Sequence, residues 1–373
     1  AASDVYKRQH LGGYNKIYVS KRSCGKMEIW HRNILALCAE RRIRSTERVG
    51  NMWIIPADAK KPADDRAFHV VQKKEKAVKP FLKWAGGKGQ LLPEIERYYP
   101  FDDKAITRYA EPFVGGGAVL FDILGKYNLE AVYISDINME LINTYSVIKN
   151  YAEALIELLA EMQDNFLPIA VEERKIYYTE KRTRFNLLKM EKDGKNDIEK
   201  AALMIFLNRT CFNGLYRVNK RGLFNVPMGT YKKPLICDEK NLLAISDKLR
   251  RVKIVKGDYK LSSDFIDEHT FVYFDPPYRP LTNTAGFIAY TEELFNDTEQ
   301  VELATFVNEM HIKGAKIVVS NSDPKNVNEK DEFFDTIYSG HNIKRVEASR
   351  MINSNSKGRG KIKELLISNF EIG

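Results

Sequence analysis

The chain has 373 residues, 44% of them apolar and 11% aromatic, which fits an ordered globular protein of two or three domains and excludes a disordered one. Its longest obvious apolar run, Ala201 to Leu207, falls well short of the ~20 residues that cross a bilayer. The basic N-terminus lacks the apolar core and cleavage site of a secretory signal, so a cytoplasmic protein without membrane contact is expected. Four cysteines, Cys24, Cys38, Cys211 and Cys237, lie far apart and the six histidines are scattered, so neither a disulfide nor a metal site is expected.

The net charge of +9 is unevenly distributed. Residues 1 to 79 carry 18 basic against 8 acidic side chains, and the remaining 294 carry 41 against 42. Within that near-neutral body, residues 205 to 233 hold six basic side chains and no acidic one, and Lys344 to Lys363 holds seven against one. Segregated positive charge interleaved with Tyr, Phe and Asn points to nucleic acid rather than a membrane surface, although charge runs of this kind also form solvated faces.

In chain order, Met27 to Glu40 places Trp30, Ile34, Leu37 and Cys38 on one face of a predicted helix, with Arg41, Arg42 and Arg44 following. Val49 to Pro56 reads as a short hairpin with Gly50-Asn51 at its turn. Basic helix followed by β wing resembles the winged helix-turn-helix modules of excisionase-like proteins, and the module is placed at residues 1–61. The charged stretch between Pro62 and Pro80 reads as a linker over 62–79.

After the linker, Phe81-Leu82-Lys83-Trp84-Ala85-Gly86-Gly87-Lys88 offers a stacking ring, a cation and close backbone approach. Tyr109 to Phe113 reads as a strand entering the loop Val114-Gly115-Gly116-Gly117, and Ala118 to Leu124 as the helix that follows. This is the nucleotide-pocket arrangement of doubly wound α/β folds. A second strand, Ala131 to Ser135, ends at Asp136, 21 residues after Gly115, where a carboxylate can accept from ribose hydroxyls. Both a nicotinamide dinucleotide and S-adenosylmethionine present such a ribose. The loop lacks the full G-x-G-x-x-G pattern, which favours the methyl donor. Strands at Val252 to Val255, Phe271 to Phe274 and Lys316 to Ser320 complete a largely parallel sheet.

The second of these, Phe271 to Phe274, runs directly into Asp275-Pro276-Pro277-Tyr278. Prolines stiffen the turn and remove donors, leaving the Asp275 carboxylate and the Pro276 carbonyl to accept from an exocyclic amine while Tyr278 stacks on its ring. The same tetrapeptide is also ordinary turn chemistry. Methyl transfer explains Asp275, whereas hydride transfer does not.

Taken together, Phe-Leu-Lys-Trp-Ala-Gly-Gly-Lys, Glu111-Pro-Phe-Val-Gly-Gly-Gly, Ser135-Asp-Ile-Asn, Asn208-Arg209, Phe212-Asn-Gly-Leu-Tyr-Arg217, Arg221-Gly-Leu-Phe-Asn-Val-Pro227 and Asp-Pro-Pro-Tyr resemble the Dam-type adenine-N6 DNA methyltransferases from about Phe81 to Phe370. The resemblance implies a Rossmann-like methyltransferase domain at 80–147 and 251–373, with a mostly helical target-recognition insert at 148–250 that includes the amphipathic run Ala152 to Met162. It implies S-adenosylmethionine contacts at Trp84, Lys88, Phe113, Gly115, Asp136 and Asp275, and catalysis by Asp275, Pro276 and Tyr278. DNA contacts are implied at Lys83, Phe212, Asn213, Leu215 and Arg217, with Arg217 suited to guanine and GATC as the target. The expected reaction is methylation of N6 of an adenine flipped out of double-stranded DNA by a monomeric enzyme, in restriction-modification or a related role. Protein glutamine methylation, whose comparable motif opens with Asn, and a DNA-binding regulator on an inactive methylase body are the other readings. Arg350 to Ile367 reads as a basic loop beside the DNA backbone, before a final strand.

Overall fold

The computed structural model describes residues 16–19, 47–49, 52–56, 78–84, 86–191, 196–279, 295–349 and 361–372. The chain divides into two compact units, Ala1–Glu75 and Lys76–Gly373. In the first, β1 (Lys16–Val19), β2 (Glu47–Val49) and β3 (Met52–Pro56) form an antiparallel sheet in the order β1-β3-β2. The expected hairpin is present as β2 and β3, paired with Val49 opposite Met52. The strand β1 was not expected. The expected helix over 27–40 lies outside the described residues, as does most of the charged linker; of the basic loop expected over Arg350–Ile367, residues 350–360 lie outside them and 361–367 belong to strand β10 instead.

The second unit is built on a seven-stranded sheet. Its strands are β4 (Arg108–Glu111), β5 (Ala131–Asp136), β6 (Val252–Lys256), β7 (Thr270–Phe274), β8 (Lys316–Ser322), β9 (Asn342–Ser349) and β10 (Lys361–Ser368), in the order β6-β5-β4-β7-β8-β10-β9. The first five in that order are parallel, and β10 runs antiparallel to both β8 and β9. This is the expected α/β class. Parallel strands covered on both faces read as continuous apolar runs, and all five residues of β7 are buried.

Alternation along the strands distributes their side chains between two cores. Tyr109, Val132, Ile134, Phe271, Tyr273, Val318 and Leu366 pack with α1 (Ala118–Lys126) and α2 (Met139–Phe166). Ala110, Tyr133, Val272, Phe274, Val319, Leu365 and Ile367 pack on the opposite face, with Leu303, Phe306, Val307 and Met310.

Between β5 and β6 the chain forms a mostly helical body. Asn138 caps α2, its Oδ1 accepting from Leu141 N at 2.9 Å. This 28-residue helix is broken by Tyr151, whose φ of −139° and ψ of 35° are non-helical. The insert boundary expected at 148 therefore falls inside one helix, close to its kink. Beyond it Ala152, Leu155, Leu159 and Met162 are buried, the amphipathic spacing expected there. The body continues as α3 (Val171–Met190), α4 (Asp197–Thr210) and α5 (Glu239–Leu249). The apolar run Ala201 to Leu207 is buried on every side, so α4 is the central helix of this body. On the other side of the sheet, α6 (Asp297–Ile312) follows the segment after β7.

Strand order fixes where a ligand can bind. The chain leaves β4 toward β5 and β6 on one side, then crosses to β7 and β8 on the other. The crevice at the carboxyl ends of β4 and β7 is thus the topological switch point at which such sheets bind ligands. Buried Asn208 on α4 joins the segment leading into this crevice to the helical body. Its Oδ1 accepts from Lys83 N at 2.8 Å, and its Nδ2 donates to Lys83 O at 2.8 Å and Gly214 O at 2.9 Å. Asn208→Ala strands these backbone groups and is expected to destabilise the unit by about 2–4 kcal/mol, read as a lower midpoint in urea unfolding.

Candidate active site and nucleic-acid interface

At the carboxyl end of β7, Asp275 is held from two sides. Lys88 Nζ lies 2.8 Å from Asp275 Oδ1, and Ser320 Oγ donates to the same oxygen at 2.8 Å. Ser320 is fixed in turn by Tyr273, whose hydroxyl donates to its Oγ at 3.0 Å across the β7–β8 pairing. The Lys88 side chain is 5% exposed against 21% for Asp275, so one partner is enclosed and the other faces the crevice. Lys88 also donates to Gly86 O at 3.0 Å and to Tyr278 Oη at 2.7 Å. The Tyr278 hydroxyl donates to Glu364 Oε2 at 2.5 Å. Burial, Asp275 and Glu364 push this phenol well above its ordinary pKa, so it stays protonated.

The stiff turn is braced further along. Pro276 is buried and Pro277 exposed. The Pro277 carbonyl accepts from Gln300 Nε2 at 3.0 Å, and Gln300 is oriented by Asn321 Nδ2 at 3.1 Å. Arg279 pairs with Asp297 at 2.6 Å and Asp331 at 2.8 Å, and its guanidinium lies 4.2 Å over the Phe333 ring.

Across the crevice, Glu111 at the end of β4 is buried and accepts from Tyr109 Oη at 2.8 Å. Burial pushes its carboxyl well up, and the Asp275 carboxylate adds to that. The Tyr109 hydroxyl, the Leu120 N–H at the N-terminus of α1 and the Lys88 ammonium oppose it. One strand over, Asp136 accepts from Gly115 N at 3.1 Å and Asn138 N at 2.9 Å. Burial raises its pKa to about 6, despite the backbone donors of Asn138, Gly115 and Ile137.

The glycine loop is shaped by protein packing as well as by ligand access. A Cβ on Gly115 would meet Trp84 at 3.0 Å, and one on Gly116 would meet it at 2.9 Å, because the indole lies on this loop. Trp84 stacks in turn on Tyr216, with ring centroids 5.5 Å apart and 24° between planes. Phe113 stacks on Tyr259 with centroids 5.4 Å apart and meets Phe295 edge-on.

Residues 211 to 228 form an irregular hairpin, bridged at Cys211–Met228 and Val218–Phe224. Phe212 is 52% exposed, and Asn213 and Arg217 are exposed as well. Asn213 has φ +56°, the one non-glycine residue with positive φ among the described residues. Arg217 Nε donates to Asn225 Oδ1 at 3.0 Å, which props the guanidinium along the hairpin. Lys83 extends beside this loop, with its ammonium 4.4 Å from the Tyr231 ring centroid and 3.2 Å from its hydroxyl. Tyr216 points inward between half-buried Leu215 and exposed Arg217. Its hydroxyl accepts from Lys189 Nζ at 2.8 Å and donates to Glu140 Oε2 at 3.2 Å.

The structure thus brings Lys88, Asp275 and Tyr278 into one network and ties Asp136 to Gly115, while Trp84 and Tyr216 join the glycine loop to the hairpin. Ser320, Gln300, Glu111 and Glu364 were not singled out as site residues from the sequence. Glu111 could have been found from its place at the end of the strand before the loop. Nothing local marked the other three, because their partners lie between 23 and 86 positions away.

Comparison with known proteins accords with this geometry. The profile of the D12 class N6 adenine-specific DNA methyltransferases matches residues 84–352. The chain is 49% identical to "Type II methyltransferase M.MjaIII" of Methanocaldococcus jannaschii, over 79% of this chain and 99% of that protein. It is 38% identical to "Type II methyltransferase M1.LlaDCHI" of Lactococcus lactis subsp. cremoris, over 81% and 99%. Identity to the "DNA adenine methylase" of Vibrio cholerae is 33%, over 78% and 96%.

Gly117 is the most tightly enclosed position of the loop. Its φ is +72°, and a Cβ would lie 2.4 Å from Tyr145 Oη, which itself donates to Gly115 O at 3.1 Å. Gly117→Ala is expected to cost about 1–3 kcal/mol through strain and overpacking, measured as a fall in Tm.

Proposed function

The chain belongs to the D12 class N6 adenine-specific DNA methyltransferase family and is a site-specific DNA methyltransferase acting on adenine; we propose that its methyl donor is S-adenosylmethionine, that Asp275, Pro276 and Tyr278 carry the chemistry, and that GATC is its target. The observation that carries this reading is the Asp275 carboxylate, fixed at the switch point by Lys88 and Ser320 beside the Tyr278 ring.

The residues present fit the donor. Asp136 offers a carboxylate at the end of β5 for ribose hydroxyls, and exposed Ile137 beside it, with Phe113 across the loop, offers apolar surface. Lys88 supplies a cation for a carboxylate, and Trp84 and Gly115 bound the pocket from the hairpin side. When bound, S-adenosylmethionine supplies an electrophilic methyl on a positively charged sulfur.

The protein's own part is placement. An adenine inside a duplex must leave the stack for its N6 to be reached. The N6 lone pair is delocalised into the ring, and hydrogen bonds donated by its N–H groups to the Asp275 carboxylate and the Pro276 carbonyl localise it. Tyr278 holds the ring in the plane those acceptors require. No thiol nucleophile is needed, since a nitrogen lone pair attacks. Alignment then supplies much of the barrier reduction.

Exposed Phe212, Asn213 and Arg217 and half-buried Leu215, with Lys83 beside them, form the surface proposed to read DNA, and Arg217 suits a bidentate contact with guanine. The body over 148–250 serves as the target-recognition insert, the 1–61 segment as an accessory DNA-binding module, and the enzyme works as a cytoplasmic monomer. No helix among the described residues is long and apolar enough to cross a membrane.

Tritium transfer from S-adenosylmethionine into plasmid DNA tests the reaction, and methylation-sensitive sequencing of host DNA tests the site. Label in N6-methyladenine confined to GATC is expected, and modification at another sequence would discard that target. Asp275→Ala is expected to abolish transfer while DNA affinity stays within about threefold, since the alignment but not the basic surface is lost. A hydrogen bond from ribose requires ionised Asp136, whose pKa is about 6 in the free protein. Donor affinity is therefore expected to be full well above pH 6 and to weaken as pH falls through 6, by up to about tenfold per unit below it. Calorimetric titration between pH 5 and 8 reads this, and Asp136→Asn should flatten the profile.

A further inference from the structure

We propose that Glu364 is a positioning residue for methyl transfer, holding the Tyr278 ring as the platform for the flipped adenine; this rests on the role given above to Asp275 and Tyr278. Because β10 runs antiparallel to β8, its first residues arrive at the edge where the parallel strands end, and Glu364 lies opposite Ser322 there. A residue distant in sequence from every motif thereby reaches the crevice.

The direction of the hydrogen bonds follows from the groups themselves. Lys88 has only donors, so at 2.7 Å it must donate to the Tyr278 oxygen. The single phenol proton is then directed to Glu364 Oε2 at 2.5 Å. Two fixed contacts on one oxygen pin the free end of the ring, whose other end is set by the proline turn. Glu364 also governs how Lys88 is shared. The ammonium lies 2.8 Å from Asp275 Oδ1, the carboxylate that the target amine must reach, and 2.7 Å from Tyr278 Oη. With Glu364 accepting from the phenol, the phenol oxygen is a better acceptor for Lys88, and the ammonium is divided between Tyr278 and Asp275. Without it, the ring keeps only one of its two contacts, and the Lys88 ammonium, still held by Gly86 O, shifts its share from Tyr278 toward Asp275. The defect therefore falls on presentation of the base and on the transfer step, not on donor binding.

The test uses the full-length protein, a duplex carrying the target site and an excess of enzyme. Glu364→Ala is expected to slow single-turnover methylation about 100-fold, the scale of a small misplacement of reacting groups, with the KM for S-adenosylmethionine changed less than about threefold. A duplex with 2-aminopurine at the target base should show a smaller fluorescence rise with this variant, reporting a less firmly held flipped base. Glu364→Gln keeps an acceptor oxygen and should recover to within about tenfold of the unaltered rate. In a Tyr278→Phe background, which keeps the ring and lacks the hydroxyl, Glu364→Ala should cost no more than about a further threefold. Should the alanine variant fail to fold, Glu364→Met keeps the volume without an acceptor and carries the same expectations. Unaltered single-turnover rates, equal losses in the glutamine and alanine variants, or full additivity with Tyr278→Phe would overturn the assignment while leaving the methylase reading intact. Absence of label transfer by the unaltered protein would overturn both.

Discussion

The ion pair between Lys88 and Asp275 is the contact on which the rest of the site depends. It joins the segment that enters the second unit to the end of its central strand β7, over a separation that only the folded sheet closes. A buried pair of this kind contributes little net stability, because desolvation offsets most of its Coulombic gain. Its value is geometric. It sets one oxygen of Asp275 against Lys88 and Ser320 and turns the carboxylate toward the crevice.

Around that contact the unit distributes rigidity unevenly. The proline turn is braced by Gln300 and by the Arg279 pairs, and the glycine loop is packed under Trp84. The hairpin presents exposed side chains instead, with Phe212, Asn213 and Arg217 on its outer surface. Side chains tied into a buried network have little freedom to move, whereas exposed ones such as these can adjust to a partner. Tyr216 connects the two regions. It lies within the hairpin sequence, yet its ring stacks on Trp84 and its hydroxyl is held by Lys189 and Glu140.

Much of the site was legible because its parts are local. Glycines before a helix, an acidic residue at the end of the next strand and a proline turn after a buried strand each express a constraint within a few residues, so Gly115, Asp136 and Asp275 could be placed in advance. The sheet class was legible for the same reason, since continuous apolar runs separated by helical patterns imply parallel strands. The residues that orient the motif were not. Ser320 is followed by Asn321 and Ser322 and Glu364 is preceded by Lys363, so neither stands out from its polar neighbours, and Gln300 is one of several polar residues on a helix. The first strand of the N-terminal sheet, Lys16–Val19, also lacked a local signal, because its pairing partner lies some forty positions on at Met52–Pro56.

The sequence by itself determined the family and the α/β class and marked where the acidic groups lie, because carboxylates at strand ends and in a proline turn have recognisable neighbours. Tertiary structure alone decided how those groups are held. Strand order put β4 beside β7 and made one crevice of two motifs, and the antiparallel return of β10 carried Glu364 to the Tyr278 hydroxyl. Hydrogen bonds between residues so far apart in the chain leave no periodicity or spacing to read, since their geometry exists only once the sheet has formed.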